Sequence, residues 1–257
     1  MKGPIKFTTL PAALVIPSLM AILLLSLVAC GSSSSDTYGS ADEEEGTAIV
    51  SDTVAQDEEN VEAPEKIACV GDSITWGYGV YDTRDTDSYP AQLQALISGG
   101  GFSSTVENYG YNGACALSDG KNPYVDTQEY ADSLASGANM VILMLGTDDA
   151  ASVYWDQTTY EEALSTFVES YQSMTSAPTV VLMVPPSIYS DTWAGGVSAA
   201  AVSQMQQGVR DVAEKYGLTC IDLDALTSGR TEWFADGVHP NKEGNAQIAQ
   251  YVYDTIL

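Results

Sequence analysis

Five short runs, most of them continuously apolar, alternate with longer amphipathic stretches, and this pattern leaves the chain few architectures. The runs are KIACVG (66–71), TVENYG (105–110), MVILMLG (140–146), TVVLMV (179–184) and LTCIDL (218–223). Between them lie SYPAQLQALIS, TQEYADSLAS, TTYEEALSTFVESYQSMTS and AAAVSQMQQGVRDVAEKYG, and NKEGNAQIAQYVYDTIL closes the chain. In the fourth stretch Val202, Met205, Val209, Val212 and Ala213 recur at a spacing of three and four residues, which gathers them on one helical face. Gly217, directly after Tyr216, marks a helix stop. A strand that is apolar along its whole length needs cover on both faces. Such strands, alternating with helices, predict an α/β domain of three layers, α/β/α, around a five-stranded parallel sheet. In open sheets of this kind sites form beyond the carboxyl ends of the strands.

The N-terminal quarter reads differently. Lys2 and Lys6 precede the apolar stretch LPAALVIPSLMAILLLSLVA, which ends at Cys30 and GSSSSD. Basic residues, a hydrophobic run and small residues before a cut site predict an export signal over 1–30. The run is long enough to consider a membrane span, but Pro11 and Pro17 interrupt it, and LVAC (27–30) resembles the lipobox of bacterial lipoproteins. That resemblance implies lipidation of Cys30; an uncleaved anchor is the alternative. Both place the remainder outside the cytoplasm, held at a membrane. Residues 31–65 are Ser-rich and then acidic, which predicts a disordered tether, with a root-mean-square span of roughly 30 Å.

Residues 66–257 then form one domain with a full core. The net charge is −26; 11 of the 35 acids lie in 31–65, and 66–257 carries 24 acids against seven bases. So acidic a surface repels phosphate backbones, which argues against nucleic acid as a partner and suits neutral substrates such as polysaccharides. Cys69 and Cys220 sit in apolar runs and read as buried free thiols beside Cys115. No CxxC or Cys/His cluster suggests a metal.

The first run ends in VGDSITWGYGV, which sets Ser73 where strand turns into helix, between Gly71 and Gly77. Asp72 or Ser73 acting only as a helix cap is the plainer alternative. A phosphate-binding loop is excluded, because its glycine spacing and lysine are missing. The chain holds one histidine, His239, in FADGVHPNKEG, with Asp236 three residues earlier. An aspartate that accepts from Nδ1 fixes the imidazole tautomer and leaves Nε2 free to act as a base. A lone histidine is more often structural, but this one follows the last strand, on the same edge as Ser73.

Four blocks, GDSIT, NYGYNGA, GTDD and DGVHPN, occur in this order across nearly all of 66–257. Together they resemble the SGNH (GDSL-type) hydrolases, and within that superfamily most of all the secreted esterases that remove acetyl groups from carbohydrates. The resemblance implies a flavodoxin-like sheet, no cofactor and an ester substrate. It implies Ser73 as nucleophile, His239 and Asp236 as the other triad members, and the backbone N–H groups of Ser73 and Gly113 as oxyanion donors. Acyl transfer needs those parts: a hydroxyl activated by an imidazole, and N–H groups aimed at the oxygen that becomes negative. Asn108 and Asn112 are expected to shape the turn presenting Gly113, with Asp72 in support.

The third block departs from the family pattern. Where the family carries Gly-x-Asn-Asp and uses the Asn amide as a third oxyanion donor, this chain has Asp148. An ionised Asp148 donates nothing, and two like charges at ~4 Å repel by ~4 kcal/mol at an effective dielectric of about 20. Losing a side-chain donor alone costs roughly a hundred- to a thousandfold in turnover. Three readings follow. Asp148 is neutral in a dry site beside Asp149, since two close carboxylates raise one pKa, and donates as the amide did. Or the domain is a weak or inactive hydrolase that retains carbohydrate binding. Or Asp148 and Asp149 hold a hard cation, for which two adjacent carboxylates make a poor cage. Survival of Ser73, His239 and Asp236 favours an esterase with impaired or acid-shifted activity. Asp149 has a simpler role open to it, accepting backbone N–H bonds that hold the loop.

Trp76, Trp155, Trp193 and Trp233 are placed in loops at the carboxyl edge of the sheet, where indole faces suit sugar rings; capping the core is the alternative for each. The expected substrate is an O-acetylated carbohydrate. The alternatives are a lipid or aryl ester and, outside enzymes, a carbohydrate-binding surface protein.

Overall fold

The computed structural model describes residues 63–153 and 155–257. The expected export signal, Cys30 and nearly all of the tether lie outside the described residues. Among the described residues no helix is long and apolar enough to cross a membrane.

Five strands form one sheet: β1 (Lys66–Gly71), β2 (Thr105–Gly110), β3 (Met140–Met144), β4 (Thr179–Val184) and β5 (Thr219–Asp222). Their order is β2-β1-β3-β4-β5 and every pairing is parallel. The helices are α1 (Ser73–Trp76), α2 (Arg84–Asp87), α3 (Tyr89–Gly99), α4 (Gln128–Ala135), α5 (Thr147–Ala150), α6 (Gln157–Gln172), α7 (Ala199–Tyr216), α8 (Leu223–Thr227) and α9 (Lys242–Ile256). The three-layer α/β/α domain with a five-stranded parallel sheet is therefore borne out.

Strand alternation explains the two helical layers. Ala68, Val70, Val141, Leu143, Val180 and Leu182 point to one face and pack with Phe167, Tyr171, Met205 and Val209 of α6 and α7. Their neighbours Ile67, Cys69, Ile142, Met144, Val181 and Met183 point to the other, against Leu93 and Ile97 of α3 and Ile248 and Val252 of α9. Strands buried on both sides need apolar side chains at every position, which is why the sequence pattern marked them.

Boundaries moved where local chemistry intervened. β3 ends at Met144, two residues before the expected limit, because the chain turns at Gly146 with φ +133. α6 stops at Gln172 rather than Ser176; Ser173, Thr175 and Ser176 are weak helix formers, and Pro178 bars continuation. Cys69 and Cys115 are buried, Cys220 is half-buried, and all three are free thiols.

Candidate active site

Ser73 owes its position to a tight passage from β1 into α1. A Cβ on Gly71 would lie 2.3 Å from Thr75 Oγ1 and 2.5 Å from the Met144 carbonyl oxygen. Asp72 caps the turn, its Oδ1 accepting the Ile74 N–H at 2.9 Å. Ser73 therefore occupies the first helical position, where an N–H has no intrahelical acceptor. Asn108 fastens the end of β2 to this turn: Nδ2 donates to the Thr75 carbonyl and Oδ1 accepts from Gly110 N–H, both at 2.9 Å.

His239 arrives on the loop 234–240, which leads into α9. Phe234 and Pro240 close that loop as an isolated antiparallel bridge, and Ala235 N–H donates to the His239 carbonyl at 2.8 Å. Buried Asn245 of α9 donates to the Pro240 carbonyl at 2.7 Å and accepts Tyr89 N–H at 2.9 Å. Tyr189 N–H donates to the Gly237 carbonyl at 2.6 Å. So held, His239 Nε2 lies 2.9 Å from Ser73 Oγ, and Nδ1 lies 2.7 Å from Asp236 Oδ2.

Asp236 is poised to stay ionised. Partial burial pushes its carboxyl up, but the N–H groups of His239 and Val238, at 2.8 and 3.0 Å, and the imidazole itself outweigh that and hold it below the usual carboxylate range. The carboxylate keeps the proton on Nδ1 and turns the Nε2 lone pair towards the Ser73 hydroxyl. Ser73 and His239 are each 5% exposed, so the pair is shielded yet reachable.

One glycine sets how closely the next segment packs on this loop. A Cβ on Gly79 would stand 2.2 Å from the Pro240 carbonyl oxygen and 2.9 Å from that of His239. Gly79→Ala is expected to displace the His239 loop, lowering kcat/KM tenfold or more at a stability cost of about 1–3 kcal/mol. Kinetics beside a thermal melt check this; a variant within twofold of wild type in kcat/KM refutes it.

Gly113 and Asp148 lie side by side. Gly113 has φ +74, in the left-handed region that favours glycine, and a Cβ there would stand 3.9 Å from Asp148 Oδ1. Neither Ser73 N–H nor Gly113 N–H donates to a backbone carbonyl among the described residues. Burial pushes the Asp148 carboxyl up to about 8, with the charge of Asp72 and then that of Asp149 adding to it and Lys121 opposing. The dry site and the neighbouring Asp149 both raise this carboxyl as expected, and Asp72 is a further raising charge that the sequence did not point to. Asp149 points elsewhere, accepting Ala116 N–H at 2.9 Å and Leu117 N–H at 2.8 Å, in the loop that follows Gly113. With its oxygens so committed, Asp149 is poorly placed to share a cation with Asp148.

The surroundings of Asp148 favour a retained proton. Among the described residues, Asp148 Oδ2 and Asn112 Oδ1 are buried without a hydrogen-bond partner. Burial raises Asp72 as well, against lowering by Ile74 N–H, Thr147 and His239. A buried oxygen with no donor facing it is costly as an anion and far less so as a hydroxyl. Among the described residues no three His, Cys, Asp or Glu side chains gather as a metal-ligand set.

The four tryptophans are each half-buried. Trp76 closes α1, with the Arg84 guanidinium 4.1 Å over its ring and Tyr81 beside it. Trp155 donates to Gln204 at 2.9 Å and packs on Tyr160. Trp193 and Trp233 lie in short 3-10 turns, the latter under Arg230. The aromatic ring against the imidazole is instead Tyr78, 4.6 Å from His239 between centroids and 48% exposed. The sequence signal for it was slight: an aromatic residue between Gly77 and Gly79, five positions after Ser73.

Residues 69–247 match the GDSL-like lipase/acylhydrolase family. The chain belongs to that family. An acetylxylan esterase from Xylanibacter ruminicola is 28% identical over 208 residues, covering 73% of this chain and 42% of that protein. The chain thus spans less than half the length of that relative. Among solved structures, a lipase/acylhydrolase from Enterococcus faecalis superposes with TM-score 0.61 at 22% identity, over 74% of this chain and 94% of the other. A carbohydrate acetylesterase from Sinorhizobium meliloti gives TM-score 0.59 at 19% identity, over 74% and 97%. At such identities these two likenesses concern the fold. In this GDSL-family chain the first three sequence blocks stand at the carboxyl ends of β1, β2 and β3, and the fourth on the loop before α9.

Proposed function

We propose that this GDSL-family protein is a serine esterase that hydrolyses small acyl esters, foremost acetyl esters on carbohydrate. The carrying observation is the continuous relay from Asp236 through His239 to Ser73, with contacts of 2.7 and 2.9 Å. In this reading Ser73 Oγ attacks the ester carbonyl while Nε2 takes its proton, and Asp236 stabilises the imidazolium. The carbonyl oxygen, now negative, accepts from the N–H groups of Ser73 and Gly113 and from the neutral Asp148 carboxylic acid. Collapse expels the alcohol, which takes the proton from Nε2. A water activated by the same imidazole then releases the acid and restores Ser73. Carbohydrate as the alcohol is supported by the acetylxylan esterase relative, by the excess of acids over bases and by the exposed Tyr78 ring beside His239.

Acetate release from O-acetylated xylan, measured beside a long-chain lipid ester and an aryl acetate, tests the substrate class. Expected is turnover of the xylan ester at least tenfold above the lipid ester; the reverse order gives preference to a lipase. We propose further that Cys30 carries a lipid anchor. Labelled fatty acid should enter the full chain and not Cys30→Ala, and equal labelling of both removes the anchor.

A further inference from the structure

A cleft lined by none of the reacting residues opens elsewhere on the domain, and nothing in the relay above uses it. It lies between the segment 187–191, which follows β4, and the first half of α7, and measures about 410 Å³. That volume falls within the roughly 300–1,000 Å³ of small-molecule sites. Its walls are mixed: Ile188, Tyr189 and Val202 give apolar surface, and Gln206 and Asp191 give polar groups.

Gln206 is the unusual residue. It is 5% exposed on a helix whose buried neighbours are Met205 and Val209. Its Nε2 donates to the Pro185 carbonyl at a long 3.3 Å, and its Oε1 has no donor among the described residues. A largely buried amide in the cleft wall that keeps an oxygen open is placed to accept a bond from a ligand hydroxyl. The charge of the lining narrows the class. Asp224 is already engaged, accepting from Ser187 Oγ at 2.7 Å and Arg210 at 3.2 Å, whereas the exposed Asp191 carboxylate has no partner among the described residues. Carboxylates repel anions and accept hydroxyls, so the cleft suits a neutral ligand rich in hydroxyl groups.

Its position links it to the chemistry. Tyr189 in the cleft wall donates to the Gly237 carbonyl at 2.6 Å, and a Cβ on Gly237 would lie 2.9 Å from Ser190 N. Gly237 follows Asp236 directly, so the cleft wall and the His239 loop are braced on each other at one sheet edge. We propose that this cleft binds one or two neutral sugar rings of the substrate chain, as a subsite apart from the ester centre. The proposal rests on the carbohydrate-ester reading of the function.

Xylobiose is the probe, titrated calorimetrically into the full chain. Two variants examine the cleft: Gln206→Leu removes the amide at similar size, and Ser203→Trp fills the cleft from its exposed rim. Each is expected to weaken xylobiose binding at least tenfold while the protein still melts cooperatively. Affinities within twofold of wild type in both folded variants, or no wild-type binding at millimolar xylobiose, overturn the subsite. Wild-type turnover of 4-nitrophenyl acetate reads the esterase proposal separately. Xylobiose binding lost in the variants with no such turnover leaves the cleft standing without the esterase; turnover with variant-insensitive binding does the opposite.

Discussion

Ser73→Ala is expected to lower acetyl-ester kcat/KM by at least about 10⁴-fold, because it removes the group that forms the covalent intermediate. His239→Ala should cost about as much, and the double variant should be little worse than either single one. Groups that act as one relay lose their joint effect when any central member goes. Asp236→Asn should cost roughly 10⁴-fold while leaving the geometry in place, since an amide facing Nδ1 favours the wrong imidazole tautomer. The Ser73 hydroxyl is small and buried, so its loss should leave the thermal transition close to wild type. Acetate release under single-turnover and steady-state conditions, read beside a melt of each variant, decides this. A folded Ser73→Ala protein that retains more than about one per cent of wild-type kcat/KM would exclude Ser73 as nucleophile.

The second large effect concerns Asp148 and appears as a pH profile. The donating form of a carboxyl is the protonated one, present below its pKa. Burial, reinforced by Asp72 and Asp149, places that pKa at about 8, so wild-type kcat/KM should fall above roughly that pH. The full loss should reach about a hundred- to a thousandfold, the usual worth of one oxyanion donor, with repulsion by the new charge added. Asp148→Asn carries an N–H donor at every pH and should hold its alkaline activity. An identical alkaline limb in wild type and variant removes Asp148 from the oxyanion site.

Stability should carry the same signature. A carboxyl raised on folding from 3.8 to about 8 favours the native state fully below the lower value, and that contribution is lost as pH rises through the upper one. The melting temperature of Asp148→Asn should therefore gain on wild type between pH 4 and pH 8. A constant difference across that window would contradict the raised pKa. Asp72 and Asp149 are raised as well, so the variant keeps part of the slope.

Much of this was open to reading in one dimension. β1 and β4 have the bounds that their residues announced, because a strand covered on both faces has few polar positions to hide its ends; the half-exposed β2 keeps its expected bounds as well. Ser73 was legible because it follows a strand of a parallel sheet directly, and Asp236 and His239 because they stand three residues apart in the loop ahead of the last helix. Tyr78 and Asn245 escaped notice. The first is an ordinary loop aromatic until the imidazole comes to rest on it, and the second is an ordinary helix amide until Pro240 and Tyr89 fold against it. The cleft at Gln206 was equally hidden, since its two walls lie on either side of a loop with no periodicity to read.

Asp148 divides the two kinds of knowledge. Its identity as a carboxyl group is local and covalent, and the sequence alone determines it, as it does the strand pattern and the types of residue at the sheet edge. Whether that carboxyl is an anion or an acid depends on solvent exclusion and on the distance to Asp72, which comes from another strand end. Only the tertiary structure decides that, because the free energy of a charge is set by everything packed around it, and packing joins residues that the chain keeps far apart.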